Sequence, residues 1–355
     1  MEQEKSLVEG IKHAQGRYGG FSFGGQTPDG VVVHQPLPKG IVFPNGATAA
    51  ILLTFDVEGT YGNAVGDLEA EVRNYTPICR TLAENRVPAT FNVVGKMAEE
   101  HGAGFIGAMI EAGCEIASHG YVHDLDKQYR GEPRYAGHFG PRENRSQVLD
   151  GIQAVEKAMS RFAPYKVRGI RLPYGHFNEH TYDAIAAAGL AWASNVGSDD
   201  FVVPGQGFGS QPFQFGLGEK KYPVVEIPLD SQTYDWSIWI ADAGSNAEFV
   251  KAVQTYCASR GLRMERSPRL GFEVWKKRIE EAIREERVFT LLCHPIYLTV
   301  RGERWGSPLD EFLFPVIGLL GELARQRRVW VCTCAQMAEF YRESPIARAR
   351  GRTPS

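Results

Sequence analysis

No stretch of this 355-residue chain approaches the roughly 18 consecutive apolar residues that a membrane-spanning helix needs. The opening MEQEKSLVEGIKHAQ is acidic and polar, not a basic segment followed by an apolar one, so the expectation is a cytoplasmic protein with no membrane association. Excess charge is also missing. The 39 Lys and Arg against 42 Asp and Glu leave a formal charge of -3, which excludes an overall field drawing the chain to nucleic acid. A short basic tail with Arg348, Arg350 and Arg352 reads as a solvated end. Cysteine is sparse: six in 355 residues cannot frame a disulfide scaffold, and most lie in apolar runs, so they read as reduced. Cys332 and Cys334 have the C-x-C spacing of a metal pair, but in the run VWVCTC that spacing also marks one face of a buried strand.

With 43% hydrophobic and 11% aromatic residues, the chain can bury one large core. Residues 1–47, rich in Gly, Pro and polar side chains, read as an N-terminal arm with a short strand at Val31–His34. Residues 48–340 read as one barrel domain and 341–355 as a C-terminal tail. From Thr48, short apolar strands alternate with helical patterns: AAILLTF, then helix 69–85, strand 89–94, helix 104–112, strand 115–118, helix 145–162, strand 169–171, helix 181–188 and strand 191–195. Strand 224–228, helices near 247–257 and 272–285, strand 288–293, helix 309–325 and strand 329–333 complete the series. About seven or eight such units argue for an α/β fold closed into a (β/α) barrel, with an open doubly wound sheet as the alternative. The Gly- and Phe-rich stretch Asp199–Lys221 reads as a substrate-side loop. Its aromatics Phe201, Phe208, Phe213 and Phe215 read as exposed, which points to a homo-oligomer.

Active sites of such barrels collect where strands end. The first strand runs into Asp56-Val-Glu58, whose period-2 spacing sends both carboxylates to one side; acids leaving a buried strand are costly unless paired or metal-bound. A pair capping a following helix is the plainer reading. The third strand leads into His119-Gly-Tyr-Val-His123, two imidazoles able to converge. With Glu58 they offer the three-ligand set that leaves a position for water and substrate. A second pair, His176 and His180, lacks an acidic partner on its strand and reads as a pocket wall or surface pair. Arg171-Leu-Pro-Tyr174-Gly could clamp a carboxylate and present backbone N–H groups to an oxyanion, or be an ordinary turn. His294, after the strand VFTLLC, is a candidate general acid or a core histidine.

In chain order, T-F-D-V-E-G, S-H-G-Y-V-H-D, R-L-P-Y-G, D-W and L-L-C-H-P resemble the five motifs of the polysaccharide deacetylases, carbohydrate esterase family 4. The resemblance spans roughly residues 48–340 and implies a distorted barrel of about seven strands that hydrolyses a non-peptide amide bond through a metal-activated water. By position it implies Asp56 as base, Glu58, His119 and His123 as ligands of a divalent metal, zinc first, and Arg171 as the residue holding the base. It further implies the Tyr174 N–H as an oxyanion donor, His294 as acid, Asp235 as the group orienting His294 or Arg171, and Trp236 as pocket lining. The family's first motif usually has adjacent aspartates; here Val57 separates Asp56 from Glu58, which leaves the division of labour between the two carboxylates open. That form is similar to an intracellular branch with allantoinase-like and peptidoglycan-deacetylase-like members, some of which work without a metal. The expected substrate is a small amide or cyclic amide, with an N-acetylated saccharide as the alternative and a barrel-type binding protein as the non-enzyme reading.

Overall fold

The computed structural model describes residues 31–61, 66–123, 141–175, 177–198, 210–230, 235, 254–263, 265, 267–300 and 306–345. Its centre is strand β2 (Ala50–Val57), AILLTFDV, in which every residue is buried. A mostly apolar strand buried along its whole length suits a parallel sheet covered on both faces. Around it stand β3 (Ala89–Val93), β4 (Glu115–Ser118), β5 (Gly169–Ile170), β6 (Trp192–Ala193), β9 (Lys220–Glu226) and β11 (Val288–Cys293). Hydrogen bonding runs β9-β6-β5-β4-β3-β2-β11, every neighbouring pair parallel, and the two-residue β12 (Trp330–Val331) also pairs parallel with β2, so the architecture is α/β with eight parallel strands in this sheet among the described residues. The short β10 (Leu229–Asp230) pairs with β7 (Gly197–Ser198) and packs beside β11. Only Ile227 and Pro228 separate it from β9, so it links the β9 end of the parallel run to the side of β11.

Helices occupy the crossovers. Helix α1 (Leu68–Asn85) is capped by Asp67, which accepts from the Ala70 N–H, and ends at Arg86 in the left-handed region. Helices α2 (Gly95–His101) and α3 (Ile106–Glu111) fill the next crossover, α4 (Pro141–Met159) and α5 (Glu179–Ala187) the following two. Helix α2 has no counterpart in the sequence-based expectation. Later come α6 (Pro268–Arg284), α7 (Phe314–Arg325) and α8 (Cys334–Glu343). Among the described residues no helix is long and apolar enough to cross a membrane.

Three expectations need correction. Residues 213–217 of the supposed loop form β8, antiparallel to β9, and β8 also pairs with the arm strand β1 (Val31–His34). Phe213 and Phe215 are fully buried, Phe215 stacking on Tyr182 with ring centroids 3.6 Å apart, so they give no ground for a homo-oligomer. Phe201 and Phe208 lie outside the described residues. That part of the arm which is described packs on the domain, as an arm wrapping it would, and needs no correction: Leu37 and Phe43 are buried, and Phe43 stacks on Trp330. Finally, Cys332 and Cys334 do not share a strand. Strand β12 is Trp330–Val331, and Thr333 caps α8 through a reciprocal pair with Gln336, so Cys334 is the first helical residue. All six cysteines are buried thiols. Helix α8 runs on to Glu343, and its Tyr341 is buried.

Candidate active site

Strand register levels the chemistry. Val57 pairs with Val93, Val93 with Ser118 and Ser118 with Ile170, so Glu58, His119 and Arg171 emerge at one height as the next residues of their strands. Cys293 pairs with Phe55, which brings His294 level with Asp56. Two glycines make the turns possible. Gly59 and Gly120, directly after Glu58 and His119, have φ of 57° and 73°, in the left-handed region that side chains disfavour.

The result is a compact buried cluster. Glu58 Oε1 lies 3.0 Å from His123 Nε2, 3.4 Å from His119 Nε2 and 3.6 Å from His294 Nε2. Asp56 Oδ1 accepts from Arg171 Nη1 at 2.9 Å and from Asn92 Nδ2 at 2.8 Å, while Oδ2 faces His119 Nε2 at 3.9 Å. Arg171 also donates to Thr54 Oγ1 and Ser194 Oγ, tying the ends of β2, β5 and β6 together. His294 Nδ1 sits 2.9 Å from Asp235 Oδ1, and Asp235 Oδ2 accepts the His294 main-chain N–H. His119 Nδ1 lies 2.8 Å from the Arg171 carbonyl. That oxygen can only accept, so Nδ1 carries a proton, and Nε2 is the nitrogen turned toward Glu58.

The charges are set by these contacts. Burial pushes the Asp56 carboxyl up, but Arg171, His119 and His294 together outweigh it and hold the group below its ordinary value. Glu58 is held well below the carboxylate range in the same way, burial being overcome chiefly by the charges of His123 and His294. His294 goes the other way: burial opposes its charge, but Asp235 and Glu58 raise it to about 9. An ionised carboxylate and a protonated imidazole therefore lie within 4.8 Å of one another beside Glu58.

The donor set fits a divalent cation. Glu58, His119 and His123 each offer one ligand atom, all within 4.8 Å of one another and all buried. His119 Nε2 is buried with no hydrogen-bond partner among the described residues, an arrangement that is costly for an imidazole nitrogen unless something is coordinated there. Asp56, Glu58 and His294 form a second trio within the same distance. There the Arg171 guanidinium already neutralises Asp56, and Asp235 holds His294 as a cation, so the first trio is the better cation site.

Eight residues were expected here, and seven of them, Asp56, Glu58, His119, His123, Arg171, Asp235 and His294, converge. The eighth, Tyr174, lies in the turn Pro173–Gly175 that follows Arg171. His180 sits on α5 beside Glu179, away from the cluster, while His176 and Trp236 lie outside the described residues. Sequence reasoning missed Thr54, Asn92, Ser194, Asn195 and Glu226, all buried around the site. The signal was present: each is a polar residue inside an apolar strand or at its end.

Comparison with known proteins finds likenesses over part of the chain. Residues 44–193 match the model of the polysaccharide deacetylase family. A chitooligosaccharide deacetylase from Sinorhizobium fredii is 35% identical over 136 residues, 37% of this chain and 55% of the relative, so the match spans about half the length of that protein. A Mycobacterium smegmatis protein assigned as a polysaccharide deacetylase superposes with a TM-score of 0.63 at 22% identity, over 90% of this chain and 97% of its own. An allantoinase superposes at 0.53 and 14%, over 87% and 95%. At those identities the two structures speak for the fold alone.

Proposed function

We propose, on the premise that residues 44–193 are a polysaccharide deacetylase domain, that this protein hydrolyses the N-acetyl amide of a saccharide with the help of a divalent cation held by Glu58, His119 and His123. One observation carries the reading: a carboxylate held below its ordinary range, Asp56, and an imidazole raised to about 9, His294, flank the Glu58–His119–His123 set. Groups driven apart in this way mark a base and an acid. Two nitrogens and one carboxylate oxygen are a set that zinc accepts with a position left over.

A cation so held would supply Lewis-acid polarisation of a water and of the amide carbonyl. Asp56 accepts the water's proton on Oδ2, since Oδ1 is committed to Arg171 and Asn92. Arg171 keeps that carboxylate ionised and oriented. The main-chain N–H of Tyr174 is the candidate donor to the oxyanion that develops on the carbonyl oxygen. His294 delivers its Nε2 proton to the nitrogen as the C–N bond breaks, and Asp235 on Nδ1 fixes the tautomer that makes this possible.

For the substrate, an N-acetylated saccharide is set ahead of a small cyclic amide. The small-amide expectation leaned on a loop folding over the site, and residues 213–217 of that segment are a buried strand. The relative with the higher identity carries a chitooligosaccharide deacetylase name, whereas the allantoinase likeness is one of fold. The test is a side-by-side assay of N-acetylglucosamine oligomers, small N-acetylated amines, allantoin and hydantoin. Acetate release from the oligomers is the expected result; ring opening of allantoin or hydantoin without acetate release from any saccharide overturns the choice.

A further inference from the structure

The Arg171–Leu172 peptide group is held from both ends. Its carbonyl oxygen lies 2.8 Å from His119 Nδ1, and its N–H donates to Asn195 Oδ1 at 2.8 Å. We propose that Asn195 is a positioning residue for His119, acting through this one peptide unit; the proposal rests on the reading of His119 as a metal ligand. A peptide group is planar, so fixing the direction of its N–H fixes the direction of its C=O. The carbonyl in turn fixes the tautomer and tilt of the His119 ring, and with them the aim of Nε2 at the cation site. Hydrogen bonding at the N–H end also polarises the amide and makes its oxygen a stronger acceptor for Nδ1–H.

Asn195 is itself locked in place. The Leu172 N–H can only donate, so Oδ1 must face it, which turns the amide nitrogen toward Tyr182, where Nδ2 lies 3.3 Å from the hydroxyl. Tyr182 donates to Glu226 Oε2 at 2.5 Å, and Glu226 Oε1 accepts the main-chain N–H groups of Asn195 and Val196. Asn195, Tyr182, Glu226 and His119 are all buried. A four-part chain, Glu226 with Tyr182, then Asn195, then the peptide, then His119, therefore runs from the strand β9 end to the candidate metal ligand. The same peptide begins the turn that carries Tyr174.

The experiment measures zinc affinity by competition with a chromophoric chelator, alongside thermal melting of the metal-free protein. Asn195→Ala is expected to bind zinc about 10- to 100-fold more weakly than wild type, the scale of lost support behind a ligating histidine. Tyr182→Phe, which leaves the Leu172 bond but loosens Asn195, is expected to fall between the two and serves where Asn195→Ala does not fold. Thr333→Ala, which removes the cap of α8 at the far end of the barrel, is the control for stability alone: its melting temperature drops and its zinc affinity stays. Wild-type zinc affinity in both Asn195→Ala and Tyr182→Phe, with lowered melting temperatures, overturns the positioning role and leaves the metal site standing. A wild type that binds no zinc overturns both.

Discussion

Arg171 Nη1 meets Asp56 Oδ1 at 2.9 Å with both side chains almost wholly inside the protein. A buried pair of this kind is more costly to break than it is valuable to form, because removing one partner strands the other charge. Arg171→Met is therefore expected to destabilise the fold by about 3–5 kcal/mol, the range for breaking buried ion pairs. It should also raise the Asp56 carboxyl, since burial then acts on it with less opposition. Denaturant unfolding at neutral pH measures the first effect, and an acid limb of the pH–rate profile moved to higher pH shows the second.

The three-ligand set sets an expectation for metal content. Wild type should carry about one divalent ion per chain and His123→Ala far less, because a buried trio that loses one imidazole keeps too few ligands for the ion. Elemental analysis after gel filtration decides. Equal content in the two proteins removes His123 from the site.

Asp56→Asn and His294→Ala are each expected to lower kcat by roughly 100-fold or more, the scale of general base and acid contributions, with metal content retained. If Asp56→Asn instead loses the metal while Glu58→Gln keeps it, the roles of the two carboxylates are exchanged.

His294 also sets a pH dependence. Its value of about 9 lies above the ordinary 6.5, so the stability it contributes to the metal-free fold is fully present below about 6.5 and is lost as the pH rises through about 9. Asp235→Asn removes a raising charge while burial still opposes protonation, so the imidazole should titrate at lower pH. NMR titration of the ring in chelator-treated protein checks both values; an unchanged titration in Asp235→Asn contradicts the pairing.

Glu71, which accepts from the Gly59 N–H beside Glu58, offers a second pH test on the metal-free protein. Burial pushes its carboxyl up to about 8, although the Tyr75 hydroxyl and the Gly59 N–H favour the charged form. Folding thus holds a proton that the unfolded chain releases above 4.5, and stability is lost as the pH rises from there through about 8. Glu71→Gln keeps the acceptor for Tyr75 and has no proton to lose. Its melting temperature should gain on wild type between pH 5 and 8.5; parallel curves contradict the assignment.

The strand ends were legible because parallel strands buried on both faces read as apolar runs, so the acid Asp56 near the end of β2 stands out, as do His119, Arg171 and His294, each the next residue after its strand. The supporting residues carried a local signal, but the partners they meet did not. Asn92 meets Asp56, and Asn195 meets Leu172, only through the register of strands distant in the chain, which no local pattern encodes. Strand β8 was hidden for a different reason: the alternation of Phe213 and Phe215 with Gln214 and Gly216 was present, but the surrounding glycines favoured a loop. Helix α8 carried its own start signal, the Thr333 and Gln336 capping pair, overlooked because VWVCTC read as continuous strand.

The most direct test of the central claim is acetate release from N-acetylglucosamine oligomers by one preparation in three states: as purified, stripped with chelator, and reconstituted with zinc. The account predicts turnover in the first, its loss in the second and its return in the third, with no return in a stripped and reconstituted His119→Ala. Full turnover by chelator-treated protein shown by elemental analysis to be free of metal would contradict it.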